Sequence, residues 1–210
     1  DTVEANDDFK AGSLGLDWRF DSWTWNNQIE TRRSENNILR GARTGLLHQL
    51  EDGRSMVGSF DWASVEGELV ETTNRTFSVG YADRRSNNYA ILNRLDVTWE
   101  DRDGLLSDLR ERKVVSNNAF NLTAWDDGQL SLAYSAKYVI TNVNDLEFSG
   151  VTDFFGVHYR HNLGKQWDVG VQTSIMRSQN SNNQQYSYGL SVGFSPVRDL
   201  WLELGYNFDG

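Results

Sequence analysis

The chain has 210 residues, with 30 acidic and 20 basic side chains, three His, one Pro and no Cys. Its net charge of −10 argues against a nucleic-acid-binding protein, because such a protein needs a basic surface to neutralise phosphates. The lack of Cys excludes a disulfide scaffold, a thiol nucleophile and a zinc–thiolate site. No apolar run approaches the roughly 18 residues that a transmembrane helix requires.

Aromatic residues are abundant for so polar a chain, since eight Trp, eight Tyr and ten Phe accompany 18 Gly. Disordered acidic chains are poor in aromatic residues, so this chain is expected to fold. High polarity together with many aromatic residues, Gly and Asn is typical of a sheet with one apolar face and one wet face.

Apolar and polar residues alternate with a period of two along the chain, and helical periodicity is nearly absent. In 129–140, for example, the even positions are Leu, Leu, Tyr, Ala, Tyr and Ile, and the odd positions are small or polar. Each such segment is about ten residues long, the length that a tilted strand needs to cross a bilayer. Twelve strands are predicted: 11–20, 23–33, 42–50, 55–64, 74–82, 89–99, 115–125, 129–140, 152–161, 167–176, 185–195 and 199–208.

The connections between these segments alternate in length. Short turns are predicted at 21–22, 51–53, 83–87, 126–128, 162–165 and 195–199, and long polar loops at 34–41, 65–73, 101–113, 141–151 and 177–184. Tight periplasmic turns alternating with long outer loops are typical of outer-membrane barrels. The pattern therefore predicts an all-β, antiparallel, up-and-down transmembrane β-barrel in the bacterial outer membrane.

A soluble all-β sandwich or a lipocalin-like barrel is the alternative fold. The outward face of a soluble barrel would be rich in Lys and Glu, whereas Lys137 is the only Lys on the polar face predicted here. Small and polar residues suit a crowded aqueous lumen better than a solvated exterior. We therefore expect lipid contact for Leu130, Leu132, Tyr134, Tyr188, Leu190, Val192, Leu202 and Leu204, and lumen contact for Ser131, Ser135, Gly189, Ser191 and Glu203.

Four stretches resemble the C-terminal β-barrel regions of large, repeat-containing surface proteins of Gram-negative bacteria. They are Leu14-Gly15-Leu16-Asp17-Trp18-Arg19-Phe20, Trp23-Thr24-Trp25-Asn26, Arg43-Thr44-Gly45-Leu46-Leu47 and Leu204-Gly205-Tyr206-Asn207-Phe208-Asp209-Gly210. The resemblance implies that residues 1–210 form a single outer-membrane barrel domain within a longer chain. In such barrels a Gly-Tyr-Asn-Phe strand is followed by a further loop and a final strand.

The predicted topology departs from that pattern in one respect. The last segment is entered from the short turn at Pro196, so both ends of the chain would lie on the outer side of the membrane. Bacterial single-chain barrels normally begin and end on the periplasmic side. We therefore expect a fourteen-strand barrel of which twelve strands are visible, with a complete twelve-strand barrel as the alternative.

Charged residues on the predicted polar face form a nearly balanced set of six positive and seven negative side chains. A balanced lumen favours ion pairs between adjacent strands over a selectivity filter of one sign. The predicted lumen charges are Asp17, Arg19, Glu30, Arg32, Arg43, Asp61, Arg94, Asp96, Glu100, Lys137, Arg160, Asp168 and Glu203.

The His residues do not form a recognisable catalytic or metal-binding pattern. His158 and His161 are three residues apart on a strand, so they point to opposite faces, and His48 is predicted on the apolar face near a rim. The stretch 144–147 is interpreted as a solvated loop rather than a Ca²⁺ site. We predict no catalytic residue, no cofactor and no metal, and hence a protein that is not an enzyme.

Three functions were compared. The first is a membrane anchor or translocation scaffold of a larger surface protein, the second is a narrow porin for small hydrophilic solutes, and the third is an outer-membrane hydrolase. The absence of a catalytic set and the family resemblance favour the first. The expected partners are outer-membrane lipid and lipopolysaccharide, together with other parts of the same large protein or a surface complex, and not nucleic acid.

Overall fold

The computed structural model describes residues 10–51, 53–125, 127–181, 183–197 and 200–210. These residues form one antiparallel sheet of twelve strands. Among them, no helix is long and apolar enough to cross a membrane. The strands are β1 (Lys10–Phe20), β2 (Trp23–Arg33), β3 (Asn37–Glu51), β4 (Arg54–Gly67), β5 (Val70–Ser86), β6 (Tyr89–Gly104), β7 (Leu109–Trp125), β8 (Gly128–Val143), β9 (Leu146–Leu163), β10 (Trp167–Ser178), β11 (Asn183–Val197) and β12 (Leu200–Asp209).

The spatial order of the strands is their order in the chain, from β1 to β12. Within the described ranges the backbone pairing joins only consecutive strands, so β1 and β12 each pair with a single neighbour. The up-and-down topology is therefore confirmed. It follows from the hairpin turns, because a short connection obliges the next strand to pair with the one before it.

Ten of the twelve strands are longer than predicted, β2 and β12 have the predicted length, and the prediction of long polar loops is wrong. Four of the five loops shrink to tight turns, as at 68–69 between β4 and β5 and at 144–145 between β8 and β9. Asn144 and Asp145 both have positive φ, at 47° and 68°, as a two-residue hairpin turn requires. The fifth, at 177–184, contains the end of β10 and the start of β11. Polar residues at these ends therefore continue the strands instead of leaving the sheet.

The predicted short turns lie at or within a few residues of their expected places, and the largest difference is at 83–87, where β5 continues through Ser86 and the connection is at 87–88. Asp21 at the first turn has a φ of 50°, and Gly53 and Gly164 have φ values of 78° and 85°. These left-handed conformations favour Gly and are tolerated by Asp. The turn positions 52, 126, 198 and 199 fall outside the described residues.

The two faces of the sheet differ in chemistry as predicted. The register pairs Leu130 with Leu122 and Tyr159, and Leu190 with Val171 and Tyr206, so apolar side chains share one face. The described residues contain no buried hydrophobic side chain, and Leu190 and Leu204 are 62 % and 83 % exposed. The described part of the sheet thus has no hydrophobic core of its own, and none of the described residues covers its apolar face.

Candidate functional site

The register places all thirteen predicted lumen charges on the polar face of the sheet. Each lies on the same face as its opposite residues in the neighbouring strands, and the chain of pairs runs unbroken from β1 to β12. The strand irregularities lie at 49–51, 83–86, 122–125 and 194–197, near strand ends. Two cavities of about 340 and 320 Å³ also open mainly between polar-face side chains.

Arg43 and Asp61 form an ion pair across the polar face. They are directly opposite each other on β3 and β4, and the Nε of Arg43 donates to Oδ1 of Asp61. Glu30 lies over Gly41 beside them, where a Cβ would be 3.0 Å from the Glu30 side chain. The side chain of Arg43 is 70 % exposed, so this pair is well solvated in the isolated sheet.

Arg160, Asp168 and Trp201 form a second, more enclosed cluster. Arg160 Nε donates to Asp168 Oδ1 over 2.8 Å, and Trp201 Nε1 donates to Asp168 Oδ2 over 3.0 Å. The guanidinium of Arg160 also stacks on the Trp201 ring, 4.4 Å from its centroid. Asp168 is only 7 % exposed, so its charge is held by two donors and little water.

Two glycines of β11 make room for contacts between β10 and β12. Gly193 is directly opposite Asp168, and a Cβ at Gly193 would lie 2.6 Å from Trp201 Nε1. Gly189 is similarly placed beneath the hydrogen bond of 2.6 Å from Gln172 Nε2 to Asn207 Oδ1. The absence of a side chain at these two positions therefore makes room on the polar face for contacts that cross β11.

Arg94 pairs with Asp96 on its own strand, not with an adjacent strand as predicted. Arg94 Nε lies 2.9 Å from Asp96 Oδ1, and Asp96 also accepts a hydrogen bond of 2.5 Å from Ser78. Arg94 is opposite Gly80 on β5 and Asn117 on β7. Because neither position offers a carboxylate, the acid two residues along β6 is the available partner.

The register places the remaining predicted charges opposite a mixture of polar, small and apolar residues, and Glu100 opposite a second acid, Glu111. Asp17 accepts a hydrogen bond of 2.8 Å from Asn26 Nδ2 on β2. The other opposite positions are Thr24 for Arg19, Ala11 and Leu39 for Arg32, Asn74 and Glu111 for Glu100, Val115 and Thr152 for Lys137, and Gly193 for Glu203.

Stacked aromatic rings flank the turns on the apolar face. Trp23 and His48 stack with ring centroids 3.8 Å apart and planes 5° apart, which confirms the apolar-face position predicted for His48. Near the other lateral edge of the sheet, Trp167 of β10 and Phe194 of β11 lie on the same apolar face with ring centroids 4.4 Å apart. Aromatic residues at strand ends form the interfacial girdles of transmembrane barrels.

Ion pairs mark the other border of the apolar face, and sequence reasoning missed them. On β3 to β7 and on β9 and β10, a charged side chain beyond the apolar stretch pairs with one on a neighbouring strand. The pairs are Arg40–Glu66, Arg75–Asp101, Arg112–Asp101 and Arg177–Asp153. The signal was present in the sequence, because these charges continue the period-two series of the apolar positions into the stretches interpreted as loops.

The His residues are separated, as predicted. His158 is opposite Ser131 and Gln172 on the polar face, and His161 is opposite Gly128 and Val169 on the apolar face. Asp168 is engaged by Arg160 and Trp201 rather than by a His. In the part of the chain that the structure describes, no group of three or more potential metal ligands is assembled.

Comparison with solved structures finds outer-membrane proteins at very low sequence identity. The siderophore receptor PirA from Pseudomonas aeruginosa superposes with a TM-score of 0.77 at 10% identity, covering 94% of this chain and 38% of the receptor. The alcaligin receptor FauA from Bordetella pertussis gives 0.71 at 10% identity, covering 92% and 40%. The ferric-catecholate import receptor Fiu from E. coli K12 gives 0.63 at 8% identity, covering 96% and 49%.

The chain has the fold of an outer-membrane β-barrel. It spans less than half the length of each of these three receptors. No protein-family model and no curated protein matches the sequence. The resemblance to repeat-containing surface proteins therefore stays a prediction.

Proposed function

We propose that this chain forms part of the wall of a β-barrel in the bacterial outer membrane. It would serve, without catalysis, as the anchor or translocation scaffold of a larger surface protein. The observation that carries the proposal is the division of the sheet into an uncovered apolar face and a polar face crossed by paired charges.

The apolar face supports a location in lipid. Tyr188, Leu190 and Leu204 are 56 %, 62 % and 83 % exposed, and they belong to one continuous face over β11 and β12. Soluble monomers rarely expose contiguous apolar patches of more than a few hundred Å². Hydrocarbon is the solvent that suits this face, and the hydrogen-bonded strands satisfy the backbone polar groups that lipid cannot.

The polar face supports an anchor more than an open pore. Arg43, Arg94 and Arg160 each contact a carboxylate on the same face, and two further hydrogen bonds pass over Gly189 and Gly193. A selective channel needs a ring of one sign or an unobstructed polar path. Charges that are neutralised by one another form no ring of one sign, and their side chains obstruct a polar path.

A narrow porin for small hydrophilic solutes is the second candidate. It is favoured by the small side chains of the polar face, where Gly170, Ser191 and Gly205 are directly opposite one another on three consecutive strands. Such a row leaves free space beside the wall.

Single-channel recording in planar bilayers distinguishes the anchor from the porin. An anchor should give small or absent conductance steps, and Arg43→Ala with Arg94→Ala should increase them by removing charged side chains from the lumen. The wild-type protein could instead give large, stable conductance steps that those substitutions leave unchanged. That result would contradict the anchor proposal and support the porin. The matched control is Arg177→Ala, which removes an Arg from the apolar face.

A further inference from the structure

Arg75, Asp101 and Arg112 form an ion cluster at the border of the apolar face, on three consecutive strands. Asp101 Oδ1 lies 2.8 Å from Arg112 Nη2, and Asp101 Oδ2 lies 3.7 Å from Arg75 Nη1. One carboxylate is therefore shared by two guanidinium groups, and the cluster keeps one positive charge in excess. We refer to these three side chains as the border cluster.

Tryptophans alternate with the two arginines of the border cluster. The register pairs Trp62 with Arg75, Arg75 with Trp99, and Trp99 with Arg112, so the four side chains form one row over β4 to β7. On the apolar side of this row lie Phe60, Phe77, Val97 and Val114. Trp prefers the headgroup level of a bilayer, so the row lies at the depth of lipid headgroups when the apolar face is in lipid.

The arginines are open on the lipid-facing side. Their side chains are 48 % exposed for Arg75 and 39 % exposed for Arg112, whereas Asp101 is 25 % exposed. Arg112 Nη1 also donates to the backbone oxygen of Glu111 over 3.1 Å, which fixes the guanidinium plane. The backbones of the two arginines are two strands apart, about 9–10 Å, but their guanidinium groups converge on Asp101, so both present donors to the same small region.

Acidic side chains lie farther from the apolar face. Glu66, Glu71 and Asp103 are directly paired in the outermost row of β4 to β6. Asp103 is two residues beyond Asp101, or about 7 Å along the strand. Arg75 and Arg112 therefore lie next to the apolar stretch, Arg110 lies opposite Asp101 one row farther out, and the three acids lie beyond, so an anion is favoured near the border.

We propose that the border cluster binds a phosphate group of an outer-leaflet glycolipid. Guanidinium groups bind phosphate through paired N–H donors, and an excess of positive charge complements a phosphomonoester. The outer leaflet is the source because the polar segments that join the apolar stretches are longer at this end of the sheet than at the other, and outer-membrane barrels have their longer connecting segments on the extracellular side. This inference rests on the proposed membrane location.

Lipid retention by the purified protein tests the inference. The protein is reconstituted in micelles and titrated with bis-phosphorylated lipid A, with phosphate-free lipid A or with phosphatidylglycerol, and bound lipid is counted by native mass spectrometry. Arg75→Gln with Arg112→Gln should weaken lipid A binding about tenfold or more, as the loss of a charge-assisted hydrogen bond implies. The control Arg102→Gln removes the next Arg of β6, which lies on the polar face, and should bind as the wild type does.

Each outcome decides the inference. Equal binding of phosphate-free lipid A, or stronger binding of phosphatidylglycerol than of lipid A, would overturn it. If the double variant does not fold, Asp101→Asn supplies the test, because removing the competing carboxylate should tighten lipid A binding, and no change would count against the site. Flotation of the wild-type protein with vesicles separates the two proposals. Flotation without arginine-dependent retention overturns only the lipid site, and failure to float overturns both.

Discussion

Trp201 on β12 donates a hydrogen bond of 3.0 Å to Asp168 on β10, although β11 lies between these strands. The contact passes over Gly193, which is opposite Asp168 and has no side chain to block it. Arg160 on β9 contacts both oxygens of Asp168, with its Nε donating to Oδ1 and its Nη2 lying 2.8 Å from Oδ2. Side chains therefore join β9, β10 and β12 across β11, and β12, which pairs with one neighbour among the described strands, gains a second attachment.

Gly193→Ala should destabilise the sheet by disrupting this contact. The added Cβ would lie 2.6 Å from Trp201 Nε1, so either the indole or the carboxylate must move. Overpacking of this kind costs about 1–3 kcal/mol. The free energy of unfolding in vesicles, measured by urea titration, should fall by that amount.

Gly45→Ala is the matched control, because it also lies on the polar face and its Cβ would meet Ser59 Cβ at an ordinary 3.9 Å. Equal losses for Gly45→Ala and Gly193→Ala would show that the cost is general to Gly in this sheet. The Trp201–Asp168 contact would then have no special role.

The residues on each face of the sheet could be predicted because side chains alternate between the two faces along a strand. Once one residue is assigned to a face, the faces of all the others in that strand follow. The positions of Arg43 and Asp61 on one face followed from this rule alone. Which residues are opposite each other on neighbouring strands could not be predicted in this way. The stagger of neighbouring strands depends on turns such as 144–145, whose residues are also typical of loops. The contact between Trp201 and Asp168 could not be predicted from the sequence, since it requires a position without a side chain on β11, the strand between them.

Asp168→Ala should cost more than Asp61→Ala, although both remove the acid of an ion pair. Asp168 is 7 % exposed and accepts hydrogen bonds from two side chains, so its loss should lower the free energy of unfolding by about 1.5–3 kcal/mol. The partner of Asp61 is 70 % exposed, and solvated pairs contribute about 0.2–1 kcal/mol. Urea titration of both variants in vesicles measures the difference.

A reversed order, with Asp61→Ala the more destabilising, would mean that the lumen is drier around Arg43 than the exposure of the sheet indicates. Combining each acid variant with Ala at its Arg partner isolates the pairwise free energy from the loss of the acid itself.

Asp145 should be replaceable by Gly but not by Val. Its φ of 68° is left-handed, where a side chain costs about 1–2 kcal/mol and Gly costs little. Asp145→Gly should therefore preserve or raise the urea midpoint in vesicles, and Asp145→Val should lower it. If 144–145 were part of a long loop, as the sequence first suggested, both variants would behave like the wild type.

Leu190 and Ser191 are adjacent on β11 and should respond in opposite ways to the same substitution. Leu190 belongs to the apolar face, opposite Val171 and Tyr206, and is 62 % exposed. Ser191 belongs to the polar face, between Gly170 and Gly205, which leave room for a long side chain. An Arg at the middle of the lipid face of a barrel costs about 2–4 kcal/mol, so Leu190→Arg should impair folding into vesicles while Ser191→Arg folds normally. The folded fraction can be read from heat-modifiable migration in gels. Equal tolerance of the two substitutions would contradict the assignment of the apolar face to lipid, and a loss confined to Ser191→Arg would reverse the two faces.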